Sequence, residues 1–239
     1  MKTQHTIAVM TAPNASIPGA IAMLCGYYRL TGWSYELTGV TIRQAEWISA
    51  PGAGTIGRLS AALGAIDDDT VRLVVCENYW STAAKKLREH ELRADALVTI
   101  KPGIGASDQT AARNTIGRLY LLDSLRDILP KTRVALPEDR LEDYPNIVCG
   151  HELRSALREV QARPRMLDEE TSAPGLDRGD VLLLTIALAA HDLQWSTPLS
   201  DNHDSINLGA RRTSRPAGMT RRQAAVGQKK RLAGKLGIR

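Results

Sequence analysis

Asp177-Arg-Gly-Asp-Val-Leu-Leu-Leu-Thr-Ile-Ala-Leu-Ala-Ala-His-Asp-Leu193 contains the longest apolar stretch of the chain. Two acids three positions apart open it, and the uncharged, mostly aliphatic run Val181 to Ala190 follows without a break. The run is about half the length of a bilayer span, which needs about 20 residues. A helix apolar all round has no face for water, so the segment predicts a helix buried inside a layered domain.

Working outward, the layer it lies on must be a sheet. Val71-Arg-Leu-Val-Val-Cys76 is the strongest strand in the chain. Thr6 to Met10 and Ala20 to Leu24 are apolar runs separated by the turn residues Pro13, Pro18 and Gly19, and Tyr35 to Arg43 alternates apolar with polar. These three predict an antiparallel meander. Helical spacing appears at Ile56 to Ile66, and further helices are predicted over Thr82 to Leu97, Gln109 to Leu129 and His151 to Arg163, with a short strand at Thr132 to Leu136. The expectation is one α/β domain over residues 1–208. Its mixed five-stranded sheet begins as an antiparallel meander, continues with parallel strands and is flanked by helices.

The 239 residues carry 31 Lys plus Arg against 26 Asp plus Glu, but the charge is unevenly placed. From Arg211 to Arg239 there are ten bases and no acid, which leaves −5 on the first 210 residues. The block 209–239, with Arg211, Arg212, Arg215, Arg221, Arg222, Lys229, Lys230, Arg231 and Lys235, is too polar and glycine-rich to fold alone. It predicts a flexible arm for a polyanion. The start of the chain lacks the basic cluster and apolar run of a secretory signal, and no membrane partner is expected. Cys25, Cys76 and Cys149 fit no metal-ligand spacing and would leave an odd thiol if two paired. Reduced, structural cysteines in a cytoplasmic protein, of a bacterial or phage-infected cell, are the expectation.

Two motifs compete for function. Gly52-Ala-Gly54-Thr-Ile-Gly57 opens a helix and has Glu77 twenty residues after its last glycine, the spacing of a dinucleotide fingerprint. The segment before it, Gln44 to Pro51, is a poor buried parallel strand, which counts against that reading. The second motif is a set of carboxylates. Glu77 ends a strand, and Asp177 and Asp180, three apart, share a helix face. Clustered carboxylate oxygens of this kind hold divalent cations for phosphodiester hydrolysis.

In that order the motifs resemble the RuvC family of Holliday-junction resolvases, which have a ribonuclease H-like fold. Gly39-Val-Thr-Ile-Arg43 resembles the family's third strand, Gly57 to Ile66 its first helix and Val71 to Trp80 its catalytic Glu strand. Thr115-Ile-Gly117-Arg118 and Gly150-His-Glu-Leu-Arg-Ser resemble its connecting helices, and Asp177-x-x-Asp180 with Thr185-Ile-Ala-Leu-Ala-Ala its last helix. The resemblance spans Thr6 to Leu193. It implies a homodimeric endonuclease that resolves branched DNA, with Glu77, Asp177 and Asp180 holding Mg²⁺ or Mn²⁺, two ions in all. It also implies an aspartate at the end of the first strand. Here no Asp precedes Asp67, and Met10 occupies that position. Thr11, Asn14 and Ser16 supply only neutral oxygens, so a catalytically impaired junction-binding protein is the alternative. Lys101, Arg113 and Arg118, around the loop Pro102 to Ser107, are candidate phosphate contacts beside the tail. Trp33, Tyr79 and Trp80 are candidate stacking residues, Trp80 equally a core residue.

Overall fold

The computed structural model describes residues 1–48, 53–66, 71–78, 80–101, 108–110, 113–162 and 176–196. The basic tail, Tyr79, Gly52 and the loop 102–107 lie outside the described residues.

The expected meander is present and longer than its apolar runs. β1 (Lys2–Met10), β2 (Gly19–Thr31) and β3 (Ser34–Ile48) pair antiparallel in sequence. β3 extends past Arg43 because Ala45 and Trp47 turn inward to one side of the sheet while Glu46 and Ile48 are buried on the other. α1 (Ala53–Gly64) then crosses to β4 (Val71–Cys76), which lies parallel to β1.

From β4 onward the boundaries depart from the periodicity. The helix expected over Thr82 to Leu97 ends early, as α2 (Ala83–Glu89), and β5 (Ala96–Lys101) follows, parallel to β4. Glu91 adopts a φ of 61°, breaking the helix, and β-branched Val98, Thr99 and Ile100 continue as strand. The helix expected from Gln109 is instead β6 (Asp108–Thr110), β7 (Arg113–Gly117) and α3 (Arg118–Ile128), with Gly117 as the helix N-cap. A short 3₁₀ turn (Leu129–Lys131) leads to β8 (Thr132–Val134), parallel to β3, followed by α4 (Gly150–Ala162) and α5 (Arg178–Trp195). The sheet therefore has eight strands in the order β6-β7-β5-β4-β1-β2-β3-β8, not five. Its antiparallel meander followed by parallel strands and helices is as expected. β5, β6 and β7 account for the additional strands.

Two cores lie on opposite faces. Residues Val181 to Ala190 of α5 are buried with Ala8, Met10, Ala22, Leu24, Val74 and Cys76, and α3 and α4 join them. On the other face α1 and α2 pack on Ile7, Val9, Ile21, Leu73 and Val75. The ten buried residues Val181 to Ala190 in succession confirm that this run of α5 has no solvent face. Among the described residues no helix is long and apolar enough to cross a membrane.

Candidate functional site at the carboxyl ends of β1 and β4

β1 and β4 are parallel neighbours whose connections leave in opposite directions, β1 to β2 and β4 to β5. In open α/β sheets the crevice beyond the carboxyl ends of such a strand pair is the place where ligands bind.

α5 brings the two aspartates there because its other end is fixed to the opposite edge of the same strands. Asp192 accepts from Thr6 Oγ1 at 3.0 Å and from Arg72 Nε and Nη2 at 2.8 and 2.9 Å. The Tyr28 hydroxyl donates to the Leu193 carbonyl at 2.6 Å. Desolvation raises the Tyr28 hydroxyl pKa, with the Asp192 charge adding to it. From Asp192 back to Asp180 is roughly 18 Å along a helix, close to the roughly 17 Å that β1 advances from Thr6 to Thr11. At that end Arg178 stacks over the Trp47 ring, 4.3 Å from its centroid, and Trp47 pairs with Ala20, which pairs with Met10.

Asp177 and Asp180 meet each other first. Asp177 is the N-cap: its Oδ1 accepts from the Asp180 amide at 2.7 Å, and Asp180 Oδ2 accepts from the Asp177 amide at 3.2 Å. This reciprocal pair satisfies two amides of the first turn and places charge where the helix dipole favours it. The other Asp180 oxygen receives Arg118 Nη2 at 2.8 Å, both side chains only 13% exposed. Arg118 is the first residue of α3, delivered by β7. The sequence-based phosphate contact is thus the counter-ion of the sequence-based metal ligand.

Glu77 follows β4 and stays in the ladder, its amide donating to the Val98 carbonyl at 2.8 Å. The Asn78 side chain then bonds both the amide and the carbonyl of Ile100, holding this corner against β5. Val9 is level with Val75, so Met10 is level with Cys76 and Thr11 with Glu77. Met10 and Cys76 are fully buried in the core beneath α5, where burial pushes the Cys76 thiol up to about 11. The position opposite Glu77 therefore belongs to Thr11, one residue beyond the Met10 that the motif alignment selects. Thr11 is fully buried, and its Oγ1 has no hydrogen-bond partner among the described residues. Asn14 is committed elsewhere, its Oδ1 accepting from the Ser16 and Ile17 amides at 2.9 and 3.0 Å.

The donor set does not fit a pair of hard divalent cations as it stands. Asp180 is already neutralised by a guanidinium, Asp177 is used as a cap, and β1 offers a thioether and a hydroxyl where a carboxylate is needed. Among the described residues no three His, Cys, Asp or Glu side chains stand together.

The remaining candidates separate. Lys101 is exposed at the end of β5. Arg113 has only its backbone described, in β7, and the tail bases lie outside the described residues. Trp80 is core at 5% exposure, while Trp33 is fully exposed on the β2–β3 hairpin. Gly54 and Gly57 sit within α1 with nothing near their Cβ positions, and two strands intervene between β3 and β4. Neither glycine is needed for close approach, and the adjacent-strand unit of a dinucleotide site is missing. Sequence reasoning missed Glu46, a carboxylate buried on β3 beside Gln44 and 3.5 Å from Arg58. Its signal was the continuation of strand alternation beyond Arg43. Compared with protein-family models, curated proteins and solved structures, the chain matches none.

Proposed function

We propose that this chain is a ribonuclease H-like relative of the RuvC resolvases that binds branched DNA, as a homodimer, and whose metal-dependent cleavage is impaired. The observation that supports the reading is that the end of β4, which leads into Glu77, and the Asp177–Asp180 start of α5 lie toward one end of the sheet, with Arg118 on Asp180 and no carboxylate on β1. The central strands β3-β2-β1-β4-β5, a meander followed by parallel strands, agree with the fold this resemblance implies. The ten tail bases supply sequence-independent attraction to phosphates, and the cytoplasm is the setting that goes with this reading.

The test is competition between a four-way junction and linear duplexes of the same sequence. The junction should bind more tightly at each salt concentration, and equal affinity would remove branch recognition. A second reading, active endonuclease, is favoured by the shared placement of Glu77 and the aspartate pair at the strand ends. It requires Mg²⁺- or Mn²⁺-dependent nicking that Glu77→Gln, Asp177→Asn and Asp180→Asn each abolish.

A further inference from the structure

Beyond the strand ends, β2, β3 and β8 present a face that carries no helix among the described residues. α1 and α2 cover Ile21, Met23 and Ile48 on this side. Farther from them the register brings a different set together. Arg133 is level with Thr41, Thr41 with Cys25, Tyr27 with Gly39 and Arg29 with Glu36, so all share one side of the sheet. Arg43 joins them, its Nη2 donating to the Tyr27 hydroxyl at 3.2 Å. The alternate residues Val40, Ile42 and Tyr28 face the α5 core.

Arg29, Arg43 and Arg133 are exposed, and none forms an ion pair among the described residues. Arg58, Arg72, Arg118, Arg126 and Arg154 all do. Glu36 is the one acid at the levels named above, and it accepts from Thr31 Oγ1 at 3.5 Å. A net positive strip on a body whose first 210 residues sum to −5 is a local concentration of charge, not a reflection of composition. Glu36, level with Arg29, and Arg43 are seven residues apart on β3. Two bulges shorten this span: Arg43 is level with the Met23–Leu24 step of β2, five to six residues from Arg29, which is roughly 18 Å along a strand, about five base steps at roughly 3.4 Å per phosphate of one strand. A single anion cannot span from Arg29 to Arg43, whereas an extended polyanion meets both, with Arg133 at a level between them.

We infer that the open face of β2, β3 and β8 binds the phosphate backbone of duplex DNA through Arg29, Arg43 and Arg133. The inference rests on the DNA-binding reading and adds to it a surface apart from the strand-end acids and from the tail. Arg43 is held on the Tyr27 hydroxyl, which limits the side-chain ordering that binding a phosphate costs.

The experiment is fluorescence anisotropy of the full chain on a labelled linear duplex across a salt series. Wild type is compared with the triple variant Arg29→Gln, Arg43→Gln, Arg133→Gln and with Arg133→Gln alone. Removing three arginine–phosphate pairs lowers the log-log salt slope by about 2.7, and removing one lowers it by about 0.9. The single variant, at an exposed site, guards against a folding defect in the triple, and melting curves check both. Wild-type binding with an unchanged slope in both variants overturns this surface and leaves DNA binding standing. No duplex or junction binding by wild type overturns both. Binding of the same variants to phosphatidylserine vesicles tests the rival polyanion: an arginine-dependent vesicle signal without a DNA effect also overturns the proposal.

Discussion

Breaking the Arg118–Asp180 pair is the perturbation that reports most about the site. The contact is 2.8 Å with both side chains 13% exposed, so it is shielded from solvent but not sealed. Removing one partner of a fully buried pair costs roughly 3–5 kcal/mol, whereas exposed pairs contribute about 0–1 kcal/mol. Asp180 keeps the Asp177 amide at 3.2 Å and the favourable end of α5. Arg118→Met should therefore destabilise by roughly 2 kcal/mol, a value between those two limits. For a chain of this size that lowers Tm by about 4–8 °C. Arg118 has further partners, so the single variant alone overstates the pair. A double-mutant cycle with Asp180→Asn, read by urea denaturation in EDTA, isolates the coupling at roughly 1–2 kcal/mol. A coupling near zero would refute the claim that the guanidinium takes the place of a metal as the counter-charge of Asp180. With the arginine gone, Mn²⁺ should raise the melting temperature of Arg118→Met more than that of wild type.

Other consequences follow from particular side chains. Asp192→Ala leaves Arg72 without its bidentate partner and Thr6 without its acceptor, and should cost roughly 3–5 kcal/mol by denaturant titration; a cost under about 1 kcal/mol would show that the network is incidental. Because Thr11 is level with Glu77, Thr11→Asp should raise Mn²⁺ affinity measured by calorimetry while Met10→Asp, placing a charge in the apolar core, should mainly destabilise; the reverse ranking would restore the motif-based alignment. Deleting residues 211–239 should weaken binding to all DNA sequences alike and flatten its salt dependence by about 0.9 for each phosphate the tail neutralises, and an unchanged slope would exclude the tail from the DNA backbone. The Cys76 thiol, pushed up to about 11 by burial, holds roughly one thiolate in a thousand at pH 8. Native alkylation followed by mass spectrometry should accordingly label half-buried Cys149 and spare Cys76 until the chain unfolds; equal labelling would contradict the packing around β4.

What the sequence made legible was whatever a single segment determines. The apolar interior of Val181 to Ala190 required burial, and the alternation of Tyr35 to Arg43 required a third strand of the meander, both as observed. β5 was hidden because Lys85, Lys86, Leu87 and Arg88 set a helical rhythm that the short run Val98 to Ile100 does not visibly break. β7 was hidden for the same reason, being five residues joined directly to α3. At the site, Asp177 and Asp180 were recognisable as a helix start because their roles are local. The contact between Arg118 and Asp180 joins residues 62 positions apart across two helices, and no pattern within either helix encodes it. The register that sets Thr11 opposite Glu77 is a pairing property of β1 and β4, invisible in either strand alone.

The most direct test of the central claim is a single-turnover incubation of excess wild-type protein with an end-labelled four-way junction in Mn²⁺, with the same sample analysed on native and denaturing gels. A junction-binding protein with impaired cleavage gives a shifted complex on the native gel and intact strands on the denaturing gel. Paired nicks appearing on opposing strands, or a junction that runs free on the native gel, would contradict it.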